Sequence, residues 1–208
     1  KDGGSLAAKK TSGLTLREIG DDLSNPRVLM TLLAMLLLYC GHALIFFFLD
    51  GFGRSIGMAF AGFFLTLSTV GEIGVRVVAG SIFDRVDKTR LAIWTLASLA
   101  LCYLVLAHLP GKMVLLALGL LFGLGWGIAM PVFNGLMFDV SPQRFRAFNI
   151  NLGLQMFQAG FFLGPILGAP ILAYWGYAAI YQFSAALSLV AGVLMFISRT
   201  LPQAQRIE

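Results

Sequence analysis

The chain has 208 residues, 58% hydrophobic and only 12% charged, with a formal net charge of +5. Uncharged apolar runs of more than about 18 residues recur along it, which excludes a soluble core with polar faces at helical period and points to membrane spans. Cys40 and Cys102 fall inside those runs, and His42 and His108 stand on different ones, so the sequence offers neither a disulfide framework nor a metal site, and no cofactor is expected.

Residues 1–27 are polar, with Gly3-Gly4-Ser5, Lys9-Lys10 and an amphipathic turn at 14–19, and read as a linker on the membrane surface. The chain starts at Lys1, with no charged stretch leading into a cleavable apolar core, so a fragment is expected. Asn25-Pro26 breaks the chain before the first span. Six apolar segments follow, at 28–49, 55–83, 91–108, 113–140, 145–174 and 177–198, within a bundle covering 28–199 and ahead of a tail at 200–208. Each is long enough to cross, the third barely and the fifth with length to spare. Alternating runs of about ten residues, the mark of a membrane barrel, are missing, so the fold is expected to be all-α.

The cations sort by loop. Lys1, Lys9, Lys10, Arg17 and Arg27, then Arg85, Lys88 and Arg90, then Arg144 and Arg146, then Arg199 and Arg206 share one side. The other side has Arg54 and Lys112, and Arg76 lies inside a span. The crowded side is predicted to be cytoplasmic, which puts both termini inside a cell membrane, the inner one in a bacterium. The positive charge is thereby explained without a nucleic-acid partner. Gly119, Gly123 and Gly127 in the fourth segment, and Gly160, Gly164 and Gly168 in the fifth, stand at spacing four and predict close helix–helix approach. Gly123-Leu124-Gly125-Trp126-Gly127 has no strand before it and is not a nucleotide loop.

Between the second and third segments lies a charged knot, Gly80-Ser81-Ile82-Phe83-Asp84-Arg85-Val86-Asp87-Lys88-Thr89-Arg90, which must be a tight loop at a membrane face. Its glycine four residues before Asp84-Arg85, with further cations after, resembles the cytoplasmic loop signature of major facilitator superfamily transporters. Asp87 stands where that signature has a second glycine; Asp tolerates left-handed backbone better than most residues, so a turn there remains feasible. The polar lead-in through Asn25-Pro26-Arg27 resembles the central cytoplasmic loop joining that family's two halves. Two further stretches are similar to the same family. They are Met130-Pro131-Val132-Phe133-Asn134 followed by Asp139-Val140-Ser141-Pro142-Gln143-Arg144, with Phe145 in place of the usual glycine, and Gly160-Phe161-Phe162-Leu163-Gly164-Pro165-Ile166-Leu167-Gly168.

The order of these stretches resembles helices seven to twelve, the C-terminal half of such a transporter. The resemblance implies six transmembrane helices as two inverted three-helix repeats in a lipid bilayer. It further implies an N-terminal six-helix half as partner and substrate bound between halves. It implies that Asp84 faces a helix N-terminus of the opposite half, the alternative being a solvated turn-capping aspartate. It also implies that Arg85 or Lys88 reaches Asp139 within about 4 Å. Gly80, Asp84, Arg85, Lys88, Arg90, Asp139 and Arg144 are thus the expected gating-loop residues, and Gly160, Gly164, Pro165 and Gly168 the packing motif.

Glu72 and Arg76 are four apart on the second segment and meet on one helix face; Glu72 lies about 18 Å from Asp84, near mid-membrane. They are either a structural pair or cavity groups coupling protons or substrate. His42, about 21 Å along the first segment, is either a proton- or substrate-binding cavity residue or a hydrogen-bonded interior histidine. Asn134, Gln155 and Gln158 either bind substrate or bond between helices. Some phenylalanines, such as Phe46–Phe48 and Phe161-Phe162, can wall a cavity for an amphiphilic solute.

The leading reading is proton-coupled efflux of a small organic solute, as implied by the Gly-Pro pattern. Uptake of a small organic anion or sugar is the alternative, and a non-transporting six-helix scaffold the alternative of another class. No serine nucleophile pairs with a histidine, so an enzyme is not expected.

Overall fold

The computed structural model describes residues 14–58, 62–83, 86–108 and 111–201, and every regular element among them is helical. In order these are α1 (Leu16–Leu23), α2 (Pro26–Ser55), α3 (Gly62–Phe83), α4 (Lys88–Ala107), α5 (Lys112–Val140) and α6 (Arg146–Thr200). Local chemistry sets the starts. Thr15 and Glu18 form a reciprocal capping box on α1. Asn25 accepts from the Arg27 N–H with Pro26 at the first helical position of α2. Asn25-Pro26 therefore starts the first span as well as breaking the chain, and the helix runs past the expected Leu49 to Ser55.

Helix α6 has 55 residues, about 80 Å at 1.5 Å per residue, more than two crossings of a core about 30 Å thick need. It is interrupted at Gly176, whose φ of 77° and ψ of −175° only glycine adopts without strain. This divides it into arms at 146–175 and 177–200, as the two expected segments require. Tyr174 and Trp175, beside the break, are strongly exposed, as aromatic residues at a membrane–water interface are. Helices α2, α4, α5 and α6 are long and apolar enough to cross a membrane. Exposed apolar side chains such as Val77, Val78, Trp94 and Phe162 cover the outside, where a soluble protein would place charge.

Helix α2 packs on α6, α3 packs on α5, and α4 touches both α5 and α6, while α2 and α3 barely meet. The core holds the fully buried Tyr39, Phe64, Tyr103, Phe122, Phe133 and Tyr181. Both glycine stripes lie in these contacts. In α5, a side chain at Gly119 would strike Phe64, one at Gly123 Ser68, and one at Gly127 Glu72. In α6, Gly160 abuts Tyr39 and Cys40, Gly164 abuts Ala43, and Gly168 abuts Leu44 and Phe48. The residue numbers rise together on both sides of each seam, so α3 runs parallel to α5, and α2 to the first arm of α6. Parallel neighbours joined by antiparallel steps are what up-and-down passage of the chain produces.

Candidate functional site

The starts of α2, α4 and α6 and the end of α5 meet at one end of the bundle, bringing together charges far apart in sequence. Lys88, the first residue of α4, places Nζ 2.8 Å from Asp139 Oδ2 near the end of α5. Its methylenes lie over Gly135, where an added Cβ would fall 2.9 Å from Lys88 Cδ and Cε, so the glycine makes room for the stem. Asp84 and Arg85 lie outside the described residues, and Gly80 is within α3.

Asp87 does not take up the left-handed turn that its residue type allows. Its backbone (φ −57°, ψ 102°) is not left-handed, and none of the described non-glycine residues has positive φ. It is instead the N-cap of α4, accepting from the Arg90 N–H at 3.1 Å, and its other oxygen lies 3.2 Å from Arg199 Nη2. An aspartate in the glycine position therefore lets the third span begin at Lys88, not at the expected Leu91.

Arg144 pairs with α1, outside the loop signature. It donates from both Nη atoms to Glu18, at 2.6 and 3.1 Å. Next to it, Asn149 Nδ2 donates to Asp22 Oδ2 at 2.8 Å and to Ser141 Oγ at 3.0 Å, in a buried network. Leu16–Leu23 is thus an eight-residue helix clamped onto the α5–α6 junction, more than the amphipathic turn expected at 14–19. The Thr15 N–H and hydroxyl, and then Arg144, hold the Glu18 carboxyl below its ordinary value of 4.5. Burial pushes Asp22 above its ordinary 3.8, opposed in part by the Asn149 amide. Glu18, Asp22 and Asn149 are not legible as a site in the sequence, because polar residues flanking apolar segments carry no sign of which distant residue they will meet.

In the body of the bundle, His42 on α2 stacks on Trp126 of α5, with ring centroids 3.8 Å apart and planes 10° apart, and on Phe122 at 5.6 Å. Phe161 and Phe157 of α6 and Tyr39 extend the cluster. His42 Nδ1 is buried without a hydrogen-bond partner among the described residues. Phe46, Phe47, Gln155 and Gln158 are exposed near this cluster in sequence, and Asn134 is half-buried. The Gln155, Gln158 and Asn134 side chains make no interhelical hydrogen bond among the described residues.

Glu72 and Arg76 form an ion pair at 2.7 Å, the glutamate side chain 24% and the arginine 42% exposed. Arg76 Nε also approaches the Gly127 carbonyl at 3.5 Å, so the pair lies against the glycine seam of α5. Pro165 sits within the first arm of α6, which remains helical past it; its missing N–H coincides with the stripe through which Gly164 meets α2.

A sequence model of the Major Facilitator Superfamily matches residues 31–208. The chain belongs to that superfamily. It is a multi-pass membrane protein of a transporter family, not of an enzyme family. Among curated superfamily relatives, it is 24% identical over 145 residues to the quinolone resistance protein NorA of Staphylococcus aureus strain N315, and 25% identical to NorA of strain MRSA252. It is 24% identical over 151 residues to the 4-hydroxybenzoate transporter PcaK of Pseudomonas aeruginosa. The aligned stretches cover 70% of this chain and 36% of NorA, and 73% of this chain and 33% of PcaK, so the chain spans about a third of each.

Proposed function

We propose that this chain is the C-terminal half, helices seven to twelve, of a secondary transporter that exports a small amphiphilic aromatic solute in exchange for protons. In this reading α2, α3 and α4 form one repeat, and α5 with the two arms of α6 the other, inverted, for six crossings with both termini cytoplasmic. The matching parallel seams, α2 with the first arm of α6 and α3 with α5, support it: exchanging the repeats turns one seam into the other. The shared end of Arg27, Lys88, Arg144 and Arg199 supports the sidedness.

The observation that carries the solute class is the stack of His42 on Trp126, flanked by Phe157 and Phe161. Flat rings in a row accept a planar apolar body, and an unpartnered imidazole nitrogen among them accepts a proton or a hydrogen bond. Both relatives are named for aromatic compounds, a quinolone and 4-hydroxybenzoate. Lys88–Asp139 fastens the two repeats at the cytoplasmic end, and Asp84 and the N-terminal half complete the gate. Glu72 and Arg76 form the second charged element of coupling.

A second reading, uptake of an aromatic carboxylate, is favoured by the 42% exposure of Arg76, which leaves part of its guanidinium free for an anion. The test is the full-length protein in vesicles of known orientation. Export predicts that adding a planar amphiphilic solute on the cytoplasmic side drives proton entry there, and that His42→Ala abolishes the flux. Proton movement in the same direction as an added aromatic carboxylate establishes uptake instead. Unchanged proton flux with either solute defeats both.

A further inference from the structure

At the charged end, a cavity of about 310 Å³ lies between the first turns of α2 and α4 and the last turns of α5 and α6. Its polar lining is Arg27, Thr31, Asp87, Thr89, Ser198 and Arg199. Most of these groups have hydrogen-bonding capacity left over. Arg27 donates through Nη2 to the Leu201 carbonyl, but its Nε is buried with no partner. Arg199 contacts Asp87 through one nitrogen at 3.2 Å, the longest of the ion pairs among the described residues. The Thr89 and Ser198 hydroxyls have no hydrogen-bond partner among the described residues, whereas Thr31 already donates to the Arg27 carbonyl. Asp87 is the one carboxylate in the lining, and its second oxygen is occupied by the Arg90 N–H.

Two guanidiniums face one carboxylate, and free donors outnumber free acceptors. The positive ends of α2 and α4 point here, but the negative ends of α5 and α6 do too, so the guanidiniums decide the sign of the field. The terminal nitrogens left over on the Arg27 and Arg199 guanidiniums suit an oxyanion, which arginine grips through parallel N–H donors. Lys88, engaged with Asp139, and Arg90 add to the positive surroundings without lining the cavity.

We propose that this cavity binds a phosphoryl oxyanion, the phosphate of an anionic lipid head group or a free inorganic phosphate. Its oxygens sit between Arg27 and Arg199 with the Thr89 and Ser198 hydroxyls donating to it, and it ties the start of α2 and α4 to the end of α6. The site is separate from the aromatic cluster around His42 and does not depend on which solute is carried.

The test uses the full-length protein, purified in a neutral detergent and freed of lipid, with the thermal midpoint followed at fixed ionic strength. One arm titrates inorganic phosphate against chloride. The other titrates a short-chain phosphatidylglycerol against a neutral glycolipid of the same chain length. A saturable rise with phosphate establishes a free-anion site, and a rise with phosphatidylglycerol alone establishes a head-group site. Arg199→Gln should raise the half-saturating concentration at least about tenfold, the worth of one charge-assisted hydrogen bond. Because that variant also strips Asp87 of its partner, the milder double variant Thr89→Val/Ser198→Ala is the second probe, with a rise of a few-fold. No saturable shift with either ligand, or the same half-saturation in wild type and both variants, overturns the site.

Discussion

Through the middle of the bundle, α3 meets α5 and α2 meets α6 across glycines, with backbone close to backbone. At the charged end, α4 and α5 meet through Lys88 and Asp139, α4 and α6 through Asp87 and Arg199, and α1 and the α5–α6 junction through Glu18 and Arg144. The seams are held by shape and have no slack, so they move only as rigid pairs. Ion pairs at a water boundary are individually worth about 1 kcal/mol or less and exchange partners easily. On the proposed transport reading, the first device keeps the helix pairs together in the middle while the second lets the end rearrange.

The sharpest way to break this contrast is to fill a seam. A Cβ at Gly160 would lie 2.6 Å from Tyr39 Cβ and 2.8 Å from the Cys40 nitrogen, and one at Gly123 2.6 Å from Ser68 Cα. Gly160→Leu and Gly123→Leu should each cost about 3 kcal/mol or more, because backbone has to separate. The monodisperse fraction after detergent extraction should fall steeply. Gly74→Ala, where nothing lies within 4 Å, is the control and should extract like wild type. Equal behaviour of the three variants would show that shape does not hold the seams.

A smaller effect is expected in the aromatic cluster lying against the α2–α6 seam. His42→Ala removes the stack on Trp126 and should weaken binding of a planar solute up to about tenfold, the upper range for an aromatic pair. His42→Phe should keep that affinity while losing proton coupling. Tryptophan fluorescence with solute titration reads the first, and pH-driven uptake of the solute into vesicles the second. Full coupling in His42→Phe would remove the histidine from the mechanism.

Smaller again is the ion pair. Reversing Lys88 or Asp139 alone should cost about 1 kcal/mol of stability at most, with Lys88 23% and Asp139 49% exposed. A bias of about 1.4 kcal/mol between inward- and outward-open states would nevertheless move their ratio tenfold. The double variant Lys88→Asp/Asp139→Lys should recover the transport lost in each single reversal. Failure of that recovery would mean that the charges do not act as a pair.

The smallest effect is the pH response of α1, where two carboxylates oppose each other. Glu18, held below its ordinary range, favours docking when ionised, so its contribution is lost as pH falls through that lowered value. Asp22, raised by burial, is disfavoured when ionised, so docking weakens as pH rises through its raised value. Amide protection of 16–23 in hydrogen exchange, corrected for intrinsic rates, should peak in mild acid between the two. Asp22→Asn should remove the decline on the alkaline side. Flat protection from about pH 3 to 8, a range spanning both ordinary carboxylate values, would show that neither group governs the helix.

Several of these features are legible in the sequence alone. Glycines at spacing four predicted close approach, and the i,i+4 placement of Glu72 and Arg76 predicted their pairing, because both depend on helix periodicity alone. The gap between segments at 174 and 177 coincides with the break at Gly176. At Asp87 the sequence left a turn and a helix cap both open, and in the structure it caps α4 and meets Arg199.

The sequence by itself determined the helical class, the segment order and the residues able to lie at a helix contact, since each follows from hydrocarbon length and a 3.6-residue period. Which glycine stripe meets which helix, that His42 stacks on Trp126, and that Arg27 and Arg199 converge on one cavity were decided only by the tertiary structure. Those contacts join segments whose separation along the chain carries no information about distance, and they arise because all the helices must bury their small faces at once.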